Sequence, residues 1–338
     1  MNRFWLNTTA GFAALVFGLI LSALPSYAQA TIEKVRERGQ LACGVSEGLV
    51  GFSANVPGKG WQGFDVDFCR AVAIAILGDG SKVQFVPLDA EQRFAALESG
   101  AIDVLSRNTT WTMSRDVLRD MDFVGIAYFD GQGFMVPVAA GLSSALQLDQ
   151  AKVCVLKGTT TVDNARDFFD RQKLKIDLVL RDDRQQALKD YVGGKCDAYS
   201  ADLSALASQR STLEKPDQHM LLPEVISKEP LGPVVRQSDP KWRELVQWVL
   251  YLLINAEEKD WSQKQAAEES LKEAIAVPAG VSARLGLAVD WPRRVIAGVG
   301  NYGEIFDRNV GSSSKLKIGR GVNSLWTRGG ILYAPPIR

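Results

Sequence analysis

Glu98-Ser99-Gly100-Ala101-Ile102-Asp103-Val104-Leu105-Ser106-Arg107-Asn108-Thr109-Thr110 makes three structural statements in one run. Gly100 stops a helix, because glycine takes the left-handed turn just past a last helical residue. Ile102 to Leu105 is a short apolar run suited to a buried strand. The residues after Leu105 are mainly small and polar, the composition of a loop at a strand's carboxyl end. Val192-Gly193-Gly194-Lys195-Cys196-Asp197 repeats the order, and Ala198 and Tyr199 then lead into Ser200 to Asp202. Each copy is a helix end, a glycine stop and a strand carrying an aspartate. The echo is short, but it suits two lobes of similar design.

Strands and helices alternate on both sides of this run. Leu41 to Val45 reads as a strand, and Asp65 starts a helix whose apolar positions Phe68, Ala71, Val72, Ala75 and Ile76 have helical spacing, with Gly78 as its stop. Val83 to Val86 is a strand. Asp89 caps the next helix, with Gln92 as capping-box partner. Lys152 to Leu156 is a strand, Gly158-Thr159-Thr160-Thr161 opens a helix, and Ile176 to Leu180 is a strand. Arg184 to Tyr191 is a helix, and Cys196 to Tyr199 is a strand. This is the alternation of α/β sheets flanked by helices. Asp239-Pro240 begins a long helix with buried stripe Trp242, Leu245, Val246 and Val249. Beyond about Ala276 little periodicity remains, and an extension wrapping one lobe is expected.

Ligands of open α/β sheets bind beyond the carboxyl ends of the strands. After Leu105 come Asn108, Thr109, Thr110 and, a few residues on, Arg115, whose guanidinium matches a carboxylate. After Leu156 comes the Gly-Thr-Thr helix start, where free amides favour an anion. After Tyr199 comes Asp202, an acceptor suited to an ammonium group. One arginine, one helix start and one carboxylate can hold both charged ends of an α-amino acid. Each feature also has a plain structural reading. Gly-Thr-Thr is a common turn, Asp202 can cap the Ser204 helix, and Arg115 can pair with Asp116 or Asp120 on the surface. Their conjunction at strand exits favours binding.

At these residues the sequence resembles a known family, the periplasmic substrate-binding proteins of polar amino-acid ABC transporters, and more narrowly the general L-amino-acid-binding branch. The segments that carry the resemblance are Gly63-Phe64-Asp65-Val66-Asp67-Phe68-Cys69-Arg70-Ala71, Arg107 to Thr112, Asp130-Gly131-Gln132-Gly133-Phe134, Asn301 to Phe306 and the ending Tyr333 to Arg338. It spans essentially the whole mature chain. It implies that Arg115 holds the carboxylate of the solute and Asp202 its ammonium group. Asn108 and Thr110 would contact both ends, and Thr160, with its neighbour Thr161, would add carboxylate contacts. Where specific relatives place an aromatic over the ligand side chain this chain has Leu49, and Ser46 replaces a common acid, so a permissive pocket is implied. The family fold implies crossovers near Gly133 and Leu231. Lobe 1 would then be 29–133 and 231–338, with the C-terminal extension, and lobe 2 would be 134–230.

The start of the chain sets the compartment. Asn2-Arg3, an apolar run over Gly11 to Leu21 and Pro25-Ser26-Tyr27-Ala28 form the pattern of a secretory signal peptide, 1–28. The mature protein is expected in the periplasm. Cys43, Cys69, Cys154 and Cys196 are then an even set in an oxidising compartment, which suggests two disulfides. Sequence alone permits three pairings. The pairing expected is Cys43 with Cys69 and Cys154 with Cys196, because a bridge between lobes would oppose hinge closure.

Composition removes other classes. The chain has 39 basic and 39 acidic residues, so no nucleic-acid partner is written into its charge. His219 is the only histidine and no Cys-x-x-Cys occurs, so neither a metal nor a cofactor is expected. An enzyme on this scaffold, of dehydratase or lytic type, would need an acid or base such as Glu47 or Asp202, but no second catalytic partner is evident. A sensor domain would need a membrane segment after the binding region. The expectation is a monomeric, non-catalytic binder of free L-amino acids, whose partner is the membrane permease of an ABC importer.

Overall fold

The computed structural model describes residues 30–268, 275 and 277–337. The expected signal peptide lies outside the described residues. The chain begins with α1 (Thr31–Arg38), β1 (Leu41–Ser46), the hairpin β2 (Ala54–Val56) and β3 (Gly60–Gln62), and α2 (Phe64–Leu77). Then come β4 (Val83–Leu88), α3 (Gln92–Glu98), β5 (Val104–Leu105), α4 (Met113–Val117) and β6 (Met121–Phe123). After β7 (Tyr128–Asp130) the chain passes into β8 (Gln132–Pro137), β9 (Ala151–Leu156), α5 (Thr161–Gln172), β10 (Ile176–Arg181) and α6 (Arg184–Val192). It continues with β11 (Ala198–Asp202), α7 (Leu203–Ser211) and β12 (His219–Leu221). It returns through β13 (Glu229–Leu231) and β14 (Val234–Arg236) to α8 (Pro240–Glu258) and α9 (Gln263–Ala267). Beyond these lie α10 (Ala279–Leu285), α11 (Trp291–Val299) and α12 (Tyr302–Asn309).

Two five-stranded sheets result, ordered β4-β1-β5-β14-β6 and β10-β9-β11-β8-β12. In each, the first three strands in that order are mutually parallel, and the fourth is antiparallel to both its neighbours. The α/β, two-lobed architecture expected from the sequence is what the chain adopts. The sequence echo has a physical counterpart. Asp103 donates its amide to Ala42 O at 2.8 Å, and its carboxylate accepts the Ala42 amide at 2.8 Å. Asp197 does the same to Lys152, with both bonds again at 2.8 Å. Each aspartate locks the start of one parallel strand to the next, because its carboxylate takes the amide that would otherwise be unpaired at the sheet's end.

β7 and β13 belong to neither five-stranded sheet. They pair with each other, Tyr128 opposite Leu231 and Asp130 opposite Glu229. The two passages of the chain between the sheets therefore lie side by side. Asp239 caps α8 by accepting the Trp242 amide at 3.0 Å, and Trp242, Leu245, Val246 and Val249 are fully buried, as their spacing requires.

Some expectations need correction. The region after Ala276 is more regular than its glycine content suggested. α11 lays Trp291, Val295, Ile296 and Val299 against α2 and α9, and α12 packs on α8. Its signals were present: Pro292 at a helix start, and Asn301 with Glu304 as a capping box. α11 and α12 both pack on α2, which lies against β1 and β4. Cys196 lies just before β11, not within it. The bridges are Cys43–Cys69 and Cys154–Cys196, each confined to one lobe.

Candidate functional site

The strand exits of both sheets face one cleft. Glu47 follows β1, Asp89 follows β4, and Arg107, Asn108 and Thr110 follow β5. From the other sheet Thr159 to Thr161 follow β9, Arg184 follows β10 and Asp202 ends β11. The reason is topological. Both sheets have the same order among their parallel strands, with the first strand in the middle, so helices leave it to opposite sides and open a crevice there.

The β5 exit loop is held from three sides. Asn108 has φ of 32°, in the left-handed region that asparagine tolerates better than most residues. Ser46 Oγ donates to Asn108 Oδ1 at 3.1 Å, and Ser106 Oγ to Asp65 Oδ1 at 3.2 Å. Trp111 N donates to Pro230 O at 2.8 Å and Gly232 N to Thr109 O at 3.0 Å, which ties the loop to β13. Asp65 is buried, with Oδ2 lacking a partner among the described residues. Burial pushes its pKa up to about 7, although Ser106, the Asn108 amide and Arg107 pull it back.

Arg115 turns inward and lines the cavity. Its Nη1 donates to Thr110 O at 2.9 Å, and it lies over the Phe94 ring, 5.4 Å from the centroid. It does not pair with Asp116 or Asp120. Asp202 also faces the cavity. The cap of α7 that it could have supplied comes instead from Asp130 Oδ2, which accepts the Ser204 amide at 3.3 Å. Burial, then Asp130 and Glu229, push the pKa of Asp202 up; burial first also raises Asp130, to about 6. A carboxylate out of water beside two other acids is stabilised by any cation brought to it.

Glu229 was missed by sequence reasoning. It is 1% exposed and sits in β13 between the sheets. Its Oε2 accepts Thr110 Oγ1 at 2.5 Å and Thr160 Oγ1 at 3.0 Å, and its Oε1 accepts Asn164 Nδ2 and Ser227 Oγ, each at 2.7 Å. One carboxylate thus joins the exit loops of both sheets. Only its place at the expected return crossover hinted at this. Arg93, Arg107 and Arg184 were missed too. Arg107 stands in the same exit loop as Asn108, and Arg184 lies just beyond β10, a strand exit that carried no expected ligand.

Of the residues expected at the site, Asn108, Thr110, Arg115, Thr160, Thr161 and Asp202 line one cavity. Thr110 and Thr160 direct their hydroxyls to Glu229, and Thr161 O accepts Gln132 Nε2 at 3.0 Å. Leu49 is not brought there. It is fully buried in the core of the first lobe, because Gly48 and Gly51, with φ of 96° and 84°, fold the segment back under β1. Leu49 therefore gives no ground for a permissive pocket, and Glu47 is the residue of this segment that reaches the cleft.

The profile of bacterial extracellular solute-binding proteins, family 3, matches residues 41–265. The general L-amino acid-binding periplasmic protein AapJ of Rhizobium johnstonii is 47% identical, over 96% of this chain and 98% of that protein. The glutamate/glutamine/aspartate/asparagine-binding protein BztA of Rhodobacter capsulatus is 42% identical, over 98% of this chain and all of the relative (100%). A Brucella ovis periplasmic binding protein with glutathione bound is 47% identical, covers 91% of this chain and 99% of its own, and superposes with a TM-score of 0.88.

Proposed function

Since the chain belongs to family 3 of the bacterial extracellular solute-binding proteins, we propose that it captures free L-amino acids in the cleft between its lobes. It then delivers them to the membrane permease of an ABC importer. The observation that carries this is the opposition of Arg115, from the first lobe, to Asp202, from the second, across one cavity. A zwitterion satisfies both. Asn108, Thr110, Thr160 and Thr161 complete the shell, and the start of α5 offers free amides to the carboxylate. We take the lobes as 29–133 with 231–338, and 134–230. The relatives bind amino acids or a peptide built from them, which supports the same class of solute and more than one side chain. The protein works without catalysis, as a monomer in the periplasm, exported by residues 1–28. An intact mass that still includes those residues would overturn the export.

Calorimetric titration with common L-amino acids tests the reading. Arg115→Ala and Asp202→Asn should each weaken binding by about 30-fold to several thousand-fold, since a buried charge loses its partner. Arg115→Lys should restore only part, because an ammonium cannot reproduce the guanidinium fork. A folded Arg115→Ala that changes affinity by less than about threefold would show that the carboxylate lies elsewhere. Recovery of the amino acids unchanged after incubation separates a binder from an enzyme.

A further inference from the structure

We propose that the cleft has a second carboxylate subsite, between Arg107 and Arg184, for an acid carried on the side chain of the solute. The inference rests on the amino-acid reading of the cleft and names the class that it holds tightest: α-amino acids whose side chain ends in a carboxylate.

The cavity wall carries Arg93, Arg107, Arg115 and Arg184 against a single acid, Asp202. A simple zwitterion occupies Arg115 and Asp202 and leaves the other cations unmatched. Among the described residues none of these arginines has a carboxylate oxygen within 4.0 Å. Arg93 and Arg107 are 3% and 5% exposed. Arg93 donates Nη2 to Gly158 O at 3.1 Å, while its buried Nε has no partner among the described residues. Arg107 donates Nε to Leu88 O at 2.8 Å, which leaves its terminal nitrogens for the cleft. Buried guanidinium groups need a counter-charge, since desolvation is costly unless it is compensated. Burial first, and then the facing Arg184, push the pKa of Arg107 down to about 9. A carboxylate between the two would relieve that repulsion.

Position argues the same way. Arg107, Leu156 and Arg184 form the wall shared by the inner cavity and an outer chamber of about 240 Å³. A side chain that extends from the inner cavity into the chamber passes Arg107, Leu156 and Arg184. The chamber's own acids are mostly engaged elsewhere. Asp89 accepts the amides of Glu91 and Gln92 at 2.9 and 2.6 Å, Asp183 accepts that of Gln186 at 2.7 Å, and Asp182 pairs with Lys157 at 2.5 Å. Glu47, exposed at the mouth, and Asp89 are the chamber acids whose charges act on Arg107, and Glu47 is the one that accepts no hydrogen bond among the described residues.

Titration of the mature chain with glutamate, glutamine and alanine tests this. Wild type should bind all three, with glutamate at least about tenfold tighter than glutamine, these two differing in one charged oxygen. Arg184→Gln, at a half-buried position that does not threaten the fold, should weaken glutamate more than glutamine and so bring the two to within about threefold of each other. Glu47→Gln should widen glutamate's lead. Equal affinities for glutamate and glutamine in wild type, or an equal loss of both in Arg184→Gln, would overturn the subsite while the amino-acid reading stands. No binding of any of the three would sink that reading and the subsite together.

Discussion

Asp65 lies beneath the loop that carries Asn108 and Thr110, and it answers to pH in a definable way. Its folded pKa of about 7 stands above that of the unfolded chain, near 3.8. The folded state therefore holds the proton more tightly. This stabilising contribution is complete below about pH 4 and is lost as pH rises toward about 7, at up to about 1.4 kcal/mol per pH unit. Asp65→Asn removes the dependence. Urea unfolding of both proteins from pH 4.5 to 7.5 should show the wild type losing stability relative to the variant, by a few kcal/mol in all. Parallel curves would mean that Asp65 is ionised in the fold. Arg115 and Asp202 were legible as candidates, and share one cavity, because their chemistry and their places after strands were both in the sequence. Glu229 was not, since its partners Thr110, Thr160 and Asn164 come from distant parts of the chain.

The start of α5 shows how an element carries function. Gly158 has φ of +68°, and a Cβ there would stand 3.0 Å from Glu91 Cγ and 3.3 Å from the Ala90 backbone, across the cleft. The glycine thus serves the turn and lets the lobes approach. Gly158→Ala would force an alanine into the left-handed region, at a cost of about 1–2 kcal/mol. It would also oppose closure directly. Amino-acid affinity should fall by about tenfold, while small-angle scattering should show a less compact form at saturating ligand. Unchanged affinity and compaction would mean that closure brings α5 less near to α3. The Gly-Thr-Thr stretch was readable as a helix start, but its contact with the opposite lobe was not.

For the whole molecule, the bridges matter by where they do not run. Cys43–Cys69 ties β1 to α2, and Cys154–Cys196 ties β9 to the segment before β11. Neither crosses the β7–β13 passage. Each should contribute roughly 2–4 kcal/mol, chiefly by restricting the unfolded chain. Replacing either pair with alanine should lower the unfolding free energy by that amount and leave ligand affinity within about threefold. A large loss of affinity with little loss of stability would show that the bridges shape the cleft itself. The passages Tyr128–Asp130 and Glu229–Leu231 form a short ribbon, and the exit loops of both sheets are anchored on Glu229 within it.

By itself the sequence determined the alternation of strands and helices and the two-lobed architecture, and it picked out residues at three strand exits that meet in one cavity. These are local signals: periodicity, glycine stops, caps and the charge types that a zwitterion needs. The paired aspartates Asp103 and Asp197 were visible as an echo for the same reason. Only the tertiary structure decided that Leu49 belongs to the core and that Glu229 joins both lobes. It alone brought Arg93, Arg107 and Arg184 together around the same space as Arg115. Burial and the meeting of distant side chains depend on how the sheets stack and face each other. No window along the chain contains that information.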